Sequence, residues 1–280
     1  MLPRRTFLKN LTAAGTLCAM NPMDLLANPF KKDIGIQLYS IRDLVNKDLA
    51  GSLQKLAEIG YSTIETAGYQ DGKFYGHEPS AFRELAGNAG LNALSSHSSL
   101  SLENIEKTID DTAKAGMRYL VQPSIPQNRR QTLDDYKVIA GELNKMGELS
   151  QKAGLTLGYH NHAFEFEMID GKVPYDILLD ETEGDLVTMQ LDTYWILYGG
   201  YQPRVYFKKY PGRFKMWHIK DMASGENKES TEIGNGILDF PSMFKMKKKA
   251  GMECIFVEQE EFTMDPWESL AISWNYLNNL

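Results

Sequence analysis

SQKAGLTLGYH, residues 150–160, runs from an amphipathic stretch through one glycine into a short apolar run that closes on a polar residue. The same plan returns in KLAEIGYSTIE (55–65), LAGNAGLNALSS (85–96), DTAKAGMRYLVQ (111–122) and KKKAGMECIFVE (247–258). A residue without Cβ takes positive φ at little cost, so Gly60, Gly90, Gly116, Gly154 and Gly251 are expected to end helices, each followed by a strand. Three further strands are read in DIGIQLYS (33–40), LVTMQLDTYW (186–195) and FKMWHIKD (214–221), which are rich in β-branched or aromatic residues. Strands are thus expected near residues 33–39, 62–66, 92–96, 117–122, 155–160, 186–192, 215–219 and 253–258, with helical patterns between them. Eight such units call for a parallel sheet closed into a single (β/α)8 barrel, an α/β fold. An open doubly wound sheet is the competing arrangement. It usually carries a glycine-rich phosphate loop after its first strand, and IQLYSIRD (36–43) has none.

The composition agrees with one large folded core. Of 280 residues, 42% are hydrophobic and 24% charged, and no apolar run approaches the ~18 residues that a membrane helix needs. Thirty Lys and Arg against 37 Asp and Glu give a net charge of −7, which argues against a nucleic-acid groove. The basic run Lys245, Lys247, Lys248, Lys249 reads as the wet face of a helix.

Residues 3–9, PRRTFLK, precede the weakly apolar LTAAGTLCAM (11–20), and the pair Arg4–Arg5 resembles a twin-arginine export signal. On that reading residues 1–27 are removed, residues 28–280 form the barrel, and the protein works in the periplasm; if the signal does not function it stays in the cytoplasm. The processed chain remains acidic and keeps one cysteine, Cys254, expected to be buried in the run CIFV.

Functional groups of such a barrel gather at the carboxyl ends of its strands. The chain has five His; His97, His160 and His218 fall at strand ends, and His162 lies two residues beyond. One residue from each of the last four ends gives His160, Asp192, His218 and Glu258, two nitrogens and two oxygens suited to a divalent ion: Mn²⁺, Zn²⁺ or Co²⁺, with Mg²⁺ also admissible. Taken singly, Asp192 reads as a helix cap, His218 as a hydrogen-bonded imidazole and Glu258 as a surface charge. Their recurrence on four successive strands favours a shared ion.

IGIQLYSIRD, EIGYSTIETAGY, GYHNHAFEF, QLDTYW, HIKD and VEQEE together resemble the xylose isomerase-like superfamily of sugar phosphate isomerases and epimerases, over residues 33–280. The resemblance implies a TIM barrel that binds a divalent ion through strand ends five to eight and moves protons beside a sugar carbonyl. It places metal ligation on His160, Asp192, His218 and Glu258, and it suggests His97, Glu65, Gln37 and Lys220 on the substrate side. The epimerases of that superfamily carry Glu-Asn-His where this chain has His160-Asn161-His162. Either His160 is the fifth-strand ligand, the preferred reading, or Glu165 supplies the oxygen by folding back over the mouth.

An ion bound to a carbonyl and an adjacent hydroxyl stabilises the negative charge that builds when a neighbouring proton leaves, by several kcal/mol in general. Glu258, Glu165, His97 and His162 are the candidate bases. Tyr39, Tyr69, Tyr194 and Trp195 are candidate walls against a sugar ring, with Tyr39 and Trp195 reading equally as wall or core. Trp217, pointing opposite to His218, reads as core. Lys220 is a substrate contact or a solvated charge; Gln37 and Glu65 are substrate contacts or rim partners.

The expected activity is metal-dependent isomerisation or epimerisation of a carbohydrate. β-Elimination from a keto-sugar or 3-keto-glycoside is the alternative, and a catalytically silent carbohydrate-binding barrel a second one. A small carbohydrate is the expected partner, with neither nucleic acid nor a membrane span in the processed chain; self-association into a homo-oligomer is compatible with the sequence.

Overall fold

The computed structural model describes residues 33–280; the export reading of residues 1–27 lies outside them. Eight parallel strands form a closed barrel: β1 (Ile34–Gln37), β2 (Thr63–Thr66), β3 (Asn92–His97), β4 (Tyr119–Gln122), β5 (Thr156–His160), β6 (Val187–Asp192), β7 (Met216–Ile219) and β8 (Cys254–Val257). β8 pairs back onto β1 with Phe256 opposite Gly35. All eight expected strands are present, within two residues of the expected bounds. The five glycines all have positive φ, from 76° at Gly116 to 123° at Gly60. The difference lies at the first strand, where residues expected to stay extended wind into a 3-10 turn, Leu38–Ile41, begun by Gln37 accepting from Tyr39 N.

Alternation along each strand divides the interior in two. Outward residues such as Ile36, Ile64, Leu157, Leu191 and Trp217 join the large core between barrel and helices. Trp217 stacks on Phe207 at 4.6 Å between ring centroids, the core role its neighbour position implies. Inward residues Tyr119, Val121, Met216 and Phe256 form a separate apolar plug. Gly35 is required beside it, because a Cβ there would meet the Phe256 ring and Ile255 O at under 3 Å. Above the plug the inward positions turn polar: Glu65, Ser95, Gln190 and His218 are all fully buried. Cys254 is half-buried, less enclosed than its apolar run implies.

Two features escaped the periodicity: the antiparallel hairpins Tyr69–Gln70/Lys73–Phe74 and Asp221–Met222/Ser230–Thr231. Both sit in loops that follow barrel strands, where a two-residue strand leaves no repeat to detect. Among the described residues, no helix is long and apolar enough to cross a membrane.

Candidate metal centre

The four residues expected to share an ion lie together at the carboxyl ends of β5 to β8, and their donor atoms all fall within 4.8 Å of one another. His160 Nε2 is 3.4 Å from Asp192 Oδ2, His218 Nδ1 is 3.1 Å from Glu258 Oε2, and His218 Nδ1 is 3.9 Å from Asp192 Oδ2. Four donors at about 2.1 Å around a tetrahedral ion stand about 3.4 Å apart, so these separations fit one cation in the middle.

Two of the donors make no hydrogen bond. His160 Nε2 and Asp192 Oδ2 are buried without a hydrogen bond, a costly state that a shared cation would relieve. The rest of each side chain explains how they are aimed. His160 Nδ1 donates to Pro123 O at 3.2 Å, which leaves the Nε2 lone pair free. Asp192 divides its oxygens: Oδ1 accepts from Tyr194 N and Trp195 N, both at 2.8 Å, while Oδ2 faces the cluster. The helix cap and the candidate ligand are therefore the same residue. Asn161 holds Asp192 in turn, accepting its backbone N–H at 3.1 Å.

Glu65 lies beneath the cluster rather than at the rim. Its carboxylate accepts from His218 Nε2 at 2.5 Å, Ser95 Oγ at 2.5 Å, Gln190 Nε2 at 2.7 Å and Gln37 Nε2 at 2.9 Å. Such a carboxylate behind an imidazole fixes its tautomer and raises its basicity. Gln37 is accordingly a support for Glu65. His97 lines the cavity and donates from Nε2 to Gln190 Oε1 at 2.6 Å. Gln190 was not singled out from the sequence, although its place two residues before Asp192 puts it on the same inward side.

The electrostatics follow from burial and proximity. Burial first, then His218 and His97, push His160 well below the usual imidazole range and keep it neutral. Burial opposes charge on His218 too, but Glu258 and Glu65 on either side hold it up to about 10. Burial also lifts Asp192 to about 6. Glu65, despite burial, is held down to about 2 by His97 and His218.

Lys220, read as a possible solvated charge, is only 1% exposed. Its Nζ binds Glu260, lies 3.9 Å from Glu258 Oε2, and sits over the rings of Trp195 and Tyr194 at 4.8 and 5.0 Å. Glu260 was missed in the sequence; its spacing of two from Glu258 was the available signal.

Glu165 is elsewhere. Its carboxylate accepts from Tyr159 Oη at 2.5 Å and His162 N at 2.9 Å, and it neither joins the donor cluster nor lines the cavity. Tyr159, one residue before His160, belongs to the core between barrel and helices, and its hydroxyl holds the Glu165 carboxylate. Of the four candidate bases, His97, His162 and Glu258 reach the cavity. That cavity, about 480 Å³, is also lined by Tyr39, Ala67, Tyr69, Ser98, Ser99, Pro123, Ser124, His160, Trp195 and Glu260. Tyr39 and Trp195 thus line the cavity rather than the core.

Residues 53–275 match the family described as xylose isomerase-like TIM barrel. A sugar phosphate isomerase/epimerase of Parabacteroides distasonis has a crystal structure 32% identical, with TM-score 0.81 over 90% of this chain and 95% of that one. The inosose dehydratase of Clostridium beijerinckii is 27% identical over 51% of this chain and 54% of its own length, and that of Geobacillus kaustophilus 25% identical over 71% and 72%. The chain thus spans about half the length of the first curated relatives it matches. The IolI protein with a bound zinc atom shares the fold at 14% identity, TM-score 0.66, over 89% of this chain and 96% of that one. By its matched length and its barrel, the chain belongs to the xylose isomerase-like TIM barrel family.

Proposed function

We propose that the protein is a divalent-metal-dependent enzyme that removes a proton from the carbon beside a carbohydrate carbonyl and completes the reaction by β-elimination. The observation that carries the metal is the pair of orphaned buried atoms, His160 Nε2 and Asp192 Oδ2, facing each other across 3.4 Å. His160, Asp192, His218 and Glu258 would hold the ion, and the zinc in the IolI structure supports a metal in this fold. Bound there, the ion would act as a Lewis acid on the carbonyl oxygen and stabilise the charge that develops on deprotonation.

The chain's own residues supply the rest. His97, His162 and Glu258 line the cavity and can take the proton, while Lys220 places an ammonium beside Glu258 and Glu260. A symmetric epimerase scheme needs two carboxylates that exchange the proton across the substrate. Here His160 replaces one, Glu165 is turned away, and Asp192 spends one oxygen on its helix cap. Elimination needs only one base and a leaving group, and the inosose dehydratase relatives lend it support. A substrate met outside the cytosol also suits the twin-arginine pattern at residues 3–9.

The test is incubation of metal-loaded protein with ketoses and with 3-keto-glycosides in deuterated water. Release of the substituent, leaving an unsaturated keto-sugar, supports the proposal. Solvent deuterium in an intact isomer would turn it to epimerisation or isomerisation, and protein that retains no divalent metal would leave only a carbohydrate-binding barrel.

A further inference from the structure

The cavity has two unlike halves. From β5 to β8 it receives His160, His162, Trp195, Glu258 and Glu260, so the charge sits there. From β1 to β4 it receives tyrosine rings, serines and one imidazole, His97. Among the described residues, no Lys or Arg lines that half; Arg42, three residues after Tyr39, lies against the Tyr39 ring at 4.7 Å and donates to Tyr39 O.

Tyr69 is the telling residue. Its hydroxyl donates to Asp111 Oδ2 at 2.7 Å, and its ring packs on Phe74 at 5.0 Å. Asp111 is itself buried and bound by Lys107 at 2.7 Å. With the polar end occupied behind the wall, the cavity is left with an aromatic surface fixed in place, a platform for a flat or weakly polar ring. The hairpin Tyr69–Gln70/Lys73–Phe74 builds it. Trp195 follows β6, four strands from β2 in either direction around the barrel, so the two rings stand on opposite sides of the mouth. Tyr39, 44% exposed, continues the Tyr69 side toward solvent.

We infer that Tyr39 and Tyr69, with Ser98, Ser99 and Ser124 beside them, form a second, uncharged subsite that takes the ring attached to the reacting sugar: a second sugar or an aromatic aglycone. The substrate is then a neutral two-ring glycoside rather than a phosphorylated monosaccharide. This rests on the carbohydrate reading of the metal site, and it adds where the departing group is held.

Calorimetric binding of phenyl β-D-glucoside, methyl β-D-glucoside and glucose 6-phosphate separates the two ideas, with metal content measured on the same samples. Phenyl glucoside is expected to bind about tenfold more tightly than methyl glucoside. Tyr69→Ala and Tyr39→Ala should each remove most of that ratio while keeping the bound metal and the melting temperature. Should Tyr69→Ala fail to fold, Tyr39→Ala, whose side chain is 44% exposed, carries the test. Equal affinity for the two glucosides, or tighter binding of the phosphate, overturns the subsite. Metal retained without discrimination sinks the subsite alone; discrimination without metal keeps it and sinks the enzyme reading.

Discussion

The two halves of the cavity differ in how their side chains are satisfied. On the β5–β8 side, His160 Nε2 and Asp192 Oδ2 are left unpaired, and Glu258 and Lys220 crowd their charges together. On the β1–β4 side, Tyr69 is anchored through Asp111, and Gln37 and Ser95 are bound to Glu65. A half that leaves donors unmet is built to receive an ion; a half whose polar groups are tied behind its surface is built to receive a neutral ring. Glu65 joins them, rooted in β2 yet bound to His218 of β7.

The largest effect separating the halves is expected from the ligands. His218→Ala or Asp192→Ala should abolish metal retention by elemental analysis and cost about 10³-fold or more in turnover, since Lewis-acid stabilisation is worth about 4 kcal/mol. Equal metal content in both variants and wild type would break the division.

Next is a pH effect outside the cavity. Burial lifts Glu165 to about 7 from an ordinary 4.5, against the pull of its Tyr159 and His162 hydrogen bonds. The folded chain therefore binds a proton that the unfolded chain has lost. This group's contribution is most favourable below pH 4.5 and falls as pH rises toward 7, by up to about 3 kcal/mol. Glu165→Gln should flatten that part of the stability profile in denaturant titrations and leave bound metal unchanged. A parallel profile in the variant would place Glu165 in contact with solvent or the ion.

Glu65→Gln should weaken metal affinity by about 10- to 100-fold, the usual cost of losing a carboxylate behind a histidine ligand. Competition with a chelator measures it. Lys220→Ala should keep the metal and lower kcat/KM about tenfold, because a buried ammonium beside Glu258 and Glu260 is lost without a ligand being removed. The smallest change is expected for Tyr69→Phe, which keeps the ring and loses the anchor to Asp111: a few-fold loss in phenyl glucoside affinity, and none in metal content.

How much could be read before folding varies residue by residue. The strand ends were readable because local period and glycine position are properties of short segments, and they placed His160, Asp192, His218 and Glu258 at one rim. The direction of Glu165 was not, since a loop residue's aim depends on which neighbour, here Tyr159, is claimed by the core. Lys220 was ambiguous for the same reason: the Trp195 and Tyr194 rings that cover it come from the short helix that follows β6. Glu65 looked like a rim charge, because nothing near it in the chain announces His218, 153 residues away.

Order of strands, helix ends and the strand-end positions of the candidate donors were written in the amino-acid order alone, because backbone preference and side-chain alternation act over a few residues. Which donors were left unpaired, which carboxylate turned outward and which half of the mouth stayed neutral were decided only by the closed barrel. Those outcomes depend on distances between segments far apart in the chain, and closure sets all of them at once.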